Sequence, residues 1–239
     1  NSKKLVGLVS PKVLSGAMPE GVKVCDILEI RYDFFEEPQW KSLSSKIRGL
    51  APHAMQIGTI RLKSDGGTFP TERAGQRLQL WKNIFDAAGA NPKDSSGSLC
   101  SNIPEIIDLE EDFLEDYEDL KQIAKGRSTI IISKHNCKEV PSTKELNLFA
   151  DKLLNIQAQG LKIAAMSHCE SDNQRLYQFI QKYASQFKYF AAFGMGEAGK
   201  TSRINSLNAG ANLTYGAIEK TVAPGQMNVL EMRSKMNKK

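Results

Sequence analysis

Eight short runs of apolar residues, rich in β-branched side chains and bounded by polar or turn residues, recur along the chain. Most are apolar at successive positions rather than at alternate ones, which is typical of strands covered on both faces in a parallel sheet. The predicted strands are residues 5–9, 26–31, 56–61, 106–109, 129–134, 161–165, 189–193 and 212–215.

Amphipathic stretches with helical spacing separate most of these strands. One covers residues 71–86 and opens with Thr71 as a cap; another covers 142–159, after Pro141 and before Gly160. Alternation of strand and helix through 239 residues predicts a single α/β domain. A closed (β/α)₈ TIM barrel is favoured, although an open doubly wound sheet has the same local pattern.

Composition agrees with one globular domain, because 41% of the residues are hydrophobic and 25% are charged. No run approaches the roughly 18 apolar residues that a membrane span needs, and the apolar stretch at the start is too short for a signal peptide. A cytoplasmic protein is expected. The net charge of +5 is scattered among 27 carboxylates, except at the end, where a flexible basic tail is predicted at about 233–239.

Four cysteines, Cys25, Cys100, Cys137 and Cys169, are few for a disulfide framework, and none forms a CxxC pair. Free thiols in a reducing compartment are therefore expected. The stretch 87–105 has no periodicity and leads from a helix into a strand. In a barrel it would lie on the N-terminal face, where catalysis is not expected.

Lys162 stands in the middle of an otherwise apolar strand, GLKIAAM. Burial without a partner favours the neutral form of an amine, and the neutral amine is the nucleophile that condenses with carbonyl groups. The alternative is a lysine that reaches the strand end and pairs with a carboxylate. This feature alone does not choose between the two.

His135 follows the predicted strand at 129–134, so it would lie at the C-terminal face of a barrel, where such folds gather their catalytic groups. A histidine there can carry protons near neutral pH, or it can be an ordinary loop residue that contacts water. His53 precedes a strand on the opposite face, and His168 lies beyond the end of the sixth strand.

Several charged residues also lie in or just after predicted strands, toward the C-terminal face of a barrel. Glu29 and Arg31 alternate with apolar residues, so both can face the barrel interior. Arg61 ends the third strand, before a loop in which Gly66 and Gly67 permit a tight turn; Arg203 follows the seventh strand. Converging guanidinium groups suggest an anionic, hydroxyl-rich ligand, although unrelated surface salt bridges would also account for Arg203.

The segment APGQ, which ends at Gln226, follows the eighth strand and could act as a lid or as a plain turn. His135, Cys137, His168 and Cys169 include metal-type ligands, but their spacing matches no common zinc site. The glycine-rich GMGEAG lacks the context of a dinucleotide site and the Lys-Ser/Thr of a P-loop. Neither a metal nor a phosphate site is predicted.

The segments EIRYDFF, TIRLKSDGG, ISKHN, LKIAAM, GMGEAGKTSR and VAPGQ occur in the order and approximate spacing of the type I 3-dehydroquinate dehydratases. The chain resembles this family from Glu29 to Gln226. The resemblance implies a TIM-barrel lyase of the shikimate pathway, which makes precursors of chorismate and the aromatic amino acids. Its reaction is syn elimination of water from 3-dehydroquinate through a lysine Schiff base, giving 3-dehydroshikimate with no metal or organic cofactor.

The resemblance also implies roles for individual residues. It makes Lys162 the Schiff-base lysine and His135 the general acid/base. It assigns substrate hydroxyl binding and site organisation to Glu29, Arg31 and Arg61. Carboxylate binding falls to Arg203 and Gln226, with Met195 lining the pocket.

Two positions depart from the family pattern. Where many members have a glutamate that orients the catalytic histidine, this chain has Asp65, which is one methylene shorter. Where some members have a serine that touches the substrate, it has Val222. A family member with weakened activity is therefore one alternative.

Two further alternatives are a lysine-imine aldolase acting on a sugar phosphate and a non-enzymatic basic binding protein. A small-molecule substrate is expected, with no nucleic acid or membrane partner, and a homodimer is the assembly to test. The chain does not begin with Met, and relatives in this family occur fused to other shikimate-pathway enzymes. One further alternative is therefore that the chain is a piece of a longer protein.

Overall fold

The computed structural model describes residues 2–15, 17–88, 102–219 and 225–237. Eight parallel strands run in sequence order, and β1 pairs with β8 as well as with β2. The strands are β1 Lys4–Val9, β2 Ile27–Arg31, β3 Met55–Thr59, β4 Ile106–Glu110, β5 Thr129–Asn136, β6 Gly160–Met166, β7 Tyr189–Met195 and β8 Leu213–Ala217. All eight predicted strands are confirmed, with ends shifted by one or two residues.

The seam of the barrel lies between β7 and β8, where Asn212 joins the two strands. Its backbone N–H donates to the Phe190 carbonyl (3.1 Å), and its side-chain oxygen accepts from the Phe190 N–H (2.8 Å). Its side-chain nitrogen donates to the Lys188 carbonyl (2.8 Å). These bonds bring the last two strands together. The predicted (β/α)₈ barrel in one domain is confirmed, and the alternative of an open doubly wound sheet is excluded.

Helices cover the outside of the barrel. They are α1 Pro11–Leu14, α2 Glu20–Lys23, α3 Trp40–Leu50, α4 Arg77–Ala87, α5 Tyr117–Ala124, α6 Thr143–Asn155, α7 Glu170–Tyr183, α8 Gly196–Gly199, α9 Ser202–Ala209 and α10 Val229–Asn237. Several are preceded by 3₁₀ turns, including Thr71–Gln76 before α4.

Two helix predictions need correction. The stretch 71–86 begins as the 3₁₀ turn, with Pro70 at its N-cap position and no side-chain cap from Thr71. The stretch 142–159 is capped by Ser142, whose hydroxyl accepts from the Glu145 N–H, but its helix ends at Asn155. The backbone turns left-handed at Gln157 (φ 56°), which a continuing helix does not permit.

The predicted flexible tail at 233–239 is helical as far as Asn237. Val229 and Met232 of α10 are buried, and Arg233 donates to the Val24 carbonyl and to Asp26. These contacts fix the helix against the N-terminal side of the barrel. Residues 238–239 lie outside the described residues, as do 89–101 of the non-periodic stretch 87–105.

Four neighbouring strands share a pattern that builds the barrel interior. Each has an isoleucine followed two residues later by a polar residue: Ile27 and Glu29, Ile57 and Thr59, Ile106 and Asp108, Ile131 and Ser133. The isoleucines belong to the buried apolar cluster inside the barrel. Because the strands are parallel, the polar members form a layer above this apolar floor, toward the C-terminal face.

Candidate active site

Lys162 points into the barrel interior, where its side chain is only 4% exposed. Its Nζ donates to Asp108 Oδ2 at 2.7 Å and lies 3.6 Å from Glu29 Oε1. The lysine is therefore buried, as one alternative predicted, and also paired with carboxylates, as the other predicted. The expectation of an unpaired amine is corrected, because β2 and β4 bring two acidic side chains to it.

Asp108 is the centre of this network. Besides Lys162, its carboxylate accepts from the Ser133 hydroxyl (2.6 Å) and from Arg61 Nη2 (3.0 Å). Burial raises the pKa of Asp108, but the positive charges of Arg61 and Lys162 outweigh burial and hold the pKa below its ordinary value. Asp108 is thus a stable anion and a weak proton acceptor.

His135 is the last interior residue of β5, half-buried at the mouth. Its Nδ1 lies 3.3 Å from Arg61 Nη1, which orients the ring. Burial, followed by the nearby charges of Arg61 and Lys162, lowers the pKa of His135 well below its ordinary value. The imidazole is therefore neutral at pH 7 and can accept a proton.

Arg61 lies two residues beyond the end of β3, and internal partners surround it. It contacts Asp108, Ser133 and His135, and its Nη1 also pairs with Glu110 at 3.0 Å. Burial lowers the pKa of Arg61, but Asp108 and Glu110 more than compensate, so the net pKa is raised. Arg61 is a permanent cation that connects the carboxylates to the histidine.

The remaining residues of β2 have different partners. Glu29 accepts a hydrogen bond from the Thr59 hydroxyl (2.9 Å) in addition to its contact with Lys162. Arg31 makes a bidentate pair with Asp33, through Nε and Nη2 at 2.8 Å each. Both side chains are buried, so the predicted placement of Glu29 and Arg31 in the interior agrees with the structure.

Arg203 begins a second part of the site, at the start of α9. It is 2% exposed and donates to the carbonyls of Gly225 (3.2 Å) and Tyr215 (3.2 Å). None of the described carboxylates lies within ion-pair distance of it. Burial lowers the pKa of Arg203 to about 10, so it is a buried cation at pH 7 without an anion. A substrate carboxylate would supply one.

The Gly225 carbonyl brings the end of the APGQ segment next to Arg203. Gly225 has φ 68°, and a Cβ there would lie 2.0 Å from the Gly196 carbonyl oxygen, so the turn requires glycine. Gln226 follows and is half-buried, and Met195, at the end of β7, is buried at the same mouth. Residues 220–224, which include Val222, lie outside the described residues.

Asp65 makes no hydrogen bond to His135. It lies in the 3₁₀ turn Lys63–Asp65 and accepts from the Ser64 hydroxyl at 2.9 Å. The contact that orients His135 comes from Arg61 instead. The three described cysteines are free thiols, as expected; Cys100 is outside the described residues.

Sequence reasoning missed Asp108, Glu110 and Tyr215. The signal for the first two was present, because Asp108 and Glu110 flank Leu109 just as Glu29 and Arg31 flank Ile30. Tyr215 is an aromatic residue within an apolar strand and gave no such signal. In the structure the centre of its ring lies 4.1 Å from Lys162 Nζ.

Neither a metal-binding cluster nor a membrane-spanning helix is found within the described ranges. No group of three or more His, Cys, Asp or Glu side chains there is arranged to hold a metal ion. None of the helices in the same ranges is long and apolar enough to cross a membrane.

These features define a (β/α)₈ barrel with a buried lysine and a neutral histidine at one mouth. An arginine that makes no ion pair with any described residue lies at the same mouth, so the site is suited to an anionic carbonyl compound. The sequence model of type I 3-dehydroquinase matches residues 10–238. The chain therefore belongs to the type I 3-dehydroquinase family.

Individual relatives agree with this membership. A 3-dehydroquinate dehydratase of Staphylococcus epidermidis is 30% identical over 236 residues, covering 92% of this chain and 91% of the relative. One from Methanococcus maripaludis is 28% identical over 222 residues, covering 90% and 88%. The crystal structure of 3-dehydroquinate dehydratase from Geobacillus kaustophilus superposes with a TM-score of 0.82 at 20% identity, covering 99% and 90%, and supports the fold.

Proposed function

We propose that this chain dehydrates 3-dehydroquinate to 3-dehydroshikimate, with Lys162 forming the imine and His135 carrying the protons. Family membership supports the reaction, which makes the chain a hydro-lyase of aromatic amino acid biosynthesis. One observation carries the assignment of residues: a buried amine shares a single polar network with a neutral imidazole inside the barrel.

The network explains which group accepts the proton of the Lys162 ammonium. Asp108 is hydrogen-bonded to the ammonium, but its lowered pKa makes it a poor acceptor. His135 is uncharged and lies on the same side of the barrel. We therefore assign His135 the role of freeing the amine for attack, directly or through the oxygen of the substrate.

The chemistry then follows in balanced steps. Lys162 adds to the C3 carbonyl, and the carbinolamine hydroxyl leaves as water with the proton that His135 took from the ammonium, giving a protonated imine and a neutral His135. His135 takes a proton from C2, and the C–H electrons move toward the imine nitrogen as an enamine. The electrons return to form the C1–C2 double bond while the C1 hydroxyl leaves with the proton from His135. Hydrolysis of the imine consumes one water and releases the product.

The rest of the site positions the ring. Arg203, a buried cation without a described anion, is suited to the substrate carboxylate, and Gln226 follows Gly225, which Arg203 contacts. Met195 forms part of the wall. Glu29, Arg31 and Arg61 are assigned to the hydroxyl groups and to holding the network in place, since both arginines already pair with internal carboxylates.

Borohydride trapping tests the proposal. Reduction in the presence of 3-dehydroquinate is expected to leave a covalent mass adduct on Lys162, and Lys162→Ala should give no adduct and no turnover. His135→Ala should still give an adduct on prolonged incubation while turnover, followed by ultraviolet absorbance of the conjugated product, falls by about 10²- to 10⁴-fold.

Lys134→Ala is the matched control, because Lys134 lies on the adjacent strand but pairs with Glu111 at 2.7 Å outside this network. It should keep both the adduct and turnover. An active wild-type enzyme that yields no adduct would refute the imine. An adduct with a ketose phosphate in place of 3-dehydroquinate would favour the aldolase alternative.

We further propose that the enzyme is cytoplasmic and forms a homodimer. Free thiols at Cys25, Cys137 and Cys169 are typical of a reducing compartment, which supports a cytoplasmic enzyme. Cell fractionation tests this location. Sedimentation of the purified protein tests the homodimer.

A further inference from the structure

Tyr215 lies against the reactive amine, and neither the sequence patterns nor the family resemblance assigned it a role. It belongs to β8 and faces the barrel interior, where it is 6% exposed. The Lys162 Nζ lies 4.1 Å from the centre of its ring, within the range of a cation–π interaction. The ring is thus a third neighbour of the ammonium, besides Asp108 and Glu29.

The hydroxyl of Tyr215 does not explain why a tyrosine stands there. It is buried and has no hydrogen-bond partner among the described residues. Burial, and then the charges of Asp108 and Glu29, raise the pKa of Tyr215 well above its ordinary value, so the phenol stays protonated. None of the described residues is held by this hydroxyl, whereas the ring face contacts the ammonium of Lys162. The contribution of Tyr215 to the site is therefore assigned to the ring.

Tyr215 contacts both parts of the site, the network around Lys162 and the region around Arg203. The backbone carbonyl of Tyr215 accepts from Arg203 Nη1 at 3.2 Å, and its ring packs against Phe193 at 5.7 Å between centroids. The guanidinium of Arg203 in turn lies 4.4 Å from the centre of the Phe193 ring. Tyr215 is therefore placed between the amine and the cation proposed to hold the substrate carboxylate.

We propose that the ring face of Tyr215 stabilises the cationic nitrogen of Lys162 during the reaction, both as the ammonium and as the protonated imine. This rests on the proposed function. An ammonium has three N–H donors, but a protonated imine retains only one, so at most one N–H is left for the hydrogen-bonded Asp108 and for Glu29, whose oxygen lies 3.6 Å away. The attraction of a ring face does not depend on the number of N–H donors and persists through that change.

Two substitutions separate the ring from the hydroxyl. Tyr215→Phe keeps the ring and removes the unpaired hydroxyl, so kcat, its pH profile and the trapped adduct should stay close to wild type. Tyr215→Leu removes the ring, and kcat should fall by about 3- to 30-fold, the factor that corresponds to one cation–π interaction, because the protonated imine has fewer N–H donors than the ammonium and depends more on the ring. The pH at which borohydride trapping reaches half its maximum should move to lower values, because the ammonium is less stable without the ring.

Tyr32→Leu is the matched control. Tyr32 is also buried and its hydroxyl also lacks a partner among the described residues, but its ring packs against Trp40 and Trp81 outside the barrel. It should lower the melting temperature without moving the pH profile. If Tyr215→Leu folds poorly, phenylalanine carrying one, two or three ring fluorines at position 215 preserves the shape while weakening the ring face, and kcat should decline with each fluorine.

Three results would overturn the inference: wild-type kcat and pH profile in Tyr215→Leu, equal losses in the Phe and Leu variants, or no trend across the fluorinated series. If the proposed function is wrong, the wild-type enzyme will give no Lys162 adduct. If only the role of the Tyr215 ring is wrong, the wild-type enzyme will still give that adduct.

Discussion

At the scale of single residues, Asp108 determines the electrostatics of the site. One of its oxygens accepts from Lys162 and the other from Arg61 and Ser133. A buried charge is tolerated only when it is paired and hydrogen-bonded, and here both oxygens have partners. The same arrangement places two cations near His135, and these lower the pKa of the imidazole in addition to burial.

The pH dependence of activity should therefore respond to Arg61. A proton-accepting His135 must be neutral, so kcat/KM is expected to be full above the pKa of His135 and to be lost as pH falls through it. Burial and the charges of Arg61 and Lys162 hold that pKa well below its ordinary value. Arg61→Gln removes a positive charge next to the ring, so the pKa of His135 should rise. The acid limb of the kcat/KM profile should then move to higher pH.

Arg77→Gln is the matched control for this experiment. Arg77 is as buried as Arg61 and pairs with the same Glu110, but no hydrogen bond joins it to His135. It should reduce stability and leave the acid limb in place. Equal shifts in the two variants, or no shift in either, would contradict the assigned cause. Thermal melts ensure that only folded enzyme is compared.

At the scale of elements, the loop after β3 positions Arg61. Lys63 N–H donates to the Phe69 carbonyl and Gly67 N–H to the Leu62 carbonyl, each at 2.8 Å, so the loop folds back on its own start. A Cβ at Gly67 would lie 2.1 Å from the Arg61 carbonyl oxygen, a distance that backbone atoms cannot accommodate. The loop can close only with glycine at this position.

Gly67→Ala should consequently shift the Arg61 backbone. We expect the free energy of unfolding to fall by about 1 to 3 kcal/mol, measured by urea denaturation, and kcat/KM to decrease because Arg61 no longer orients His135. Gly75→Ala is the control, since no atom lies within 4 Å of a Cβ at that position. A Gly67→Ala enzyme with unchanged kcat/KM would show that the loop does not position Arg61.

At the scale of the whole molecule, Asn212 closes the barrel. Its side chain bonds to two backbone groups of the chain leading into and through β7, while its own N–H bonds to Phe190. Arg203, which contacts both β8 and the Gly225 carbonyl, lies on the short chain segment between these strands. Closure of the seam thus fixes the relative positions of Lys162, Tyr215 and Arg203.

Asn212→Ala should weaken the seam. It leaves the Phe190 N–H and the Lys188 carbonyl without their side-chain partners, each at a cost of about 1 to 3 kcal/mol. In a chain of this size the melting temperature should fall by roughly 5 to 15 °C. Asn208→Ala on the exposed side of α9, where Lys3 is the one described residue from which Asn208 accepts a hydrogen bond, should change the melting temperature by little. Equal melting temperatures for the two variants would exclude a special role for Asn212.

The sequence by itself predicted the eight strands, their parallel arrangement and the side of the barrel on which the reactive groups lie. These properties depend on local composition and on the period-2 direction of side chains, which neighbouring residues determine. The same rule placed Glu29 and Arg31 inside. Applied to Asp108 and Glu110, it would have found the missing carboxylates as well.

Only the tertiary structure decided which charges meet. Lys162 and Asp108 are 54 positions apart, and their contact exists because β4, β5 and β6 lie side by side in a closed barrel. Distances across the barrel decide three things: whether the buried lysine is paired, which group orients His135, and which aromatic ring covers the amine. A pattern along the chain carries no information on those distances, so the paired lysine, the Arg61 contact and Tyr215 emerged from the fold alone.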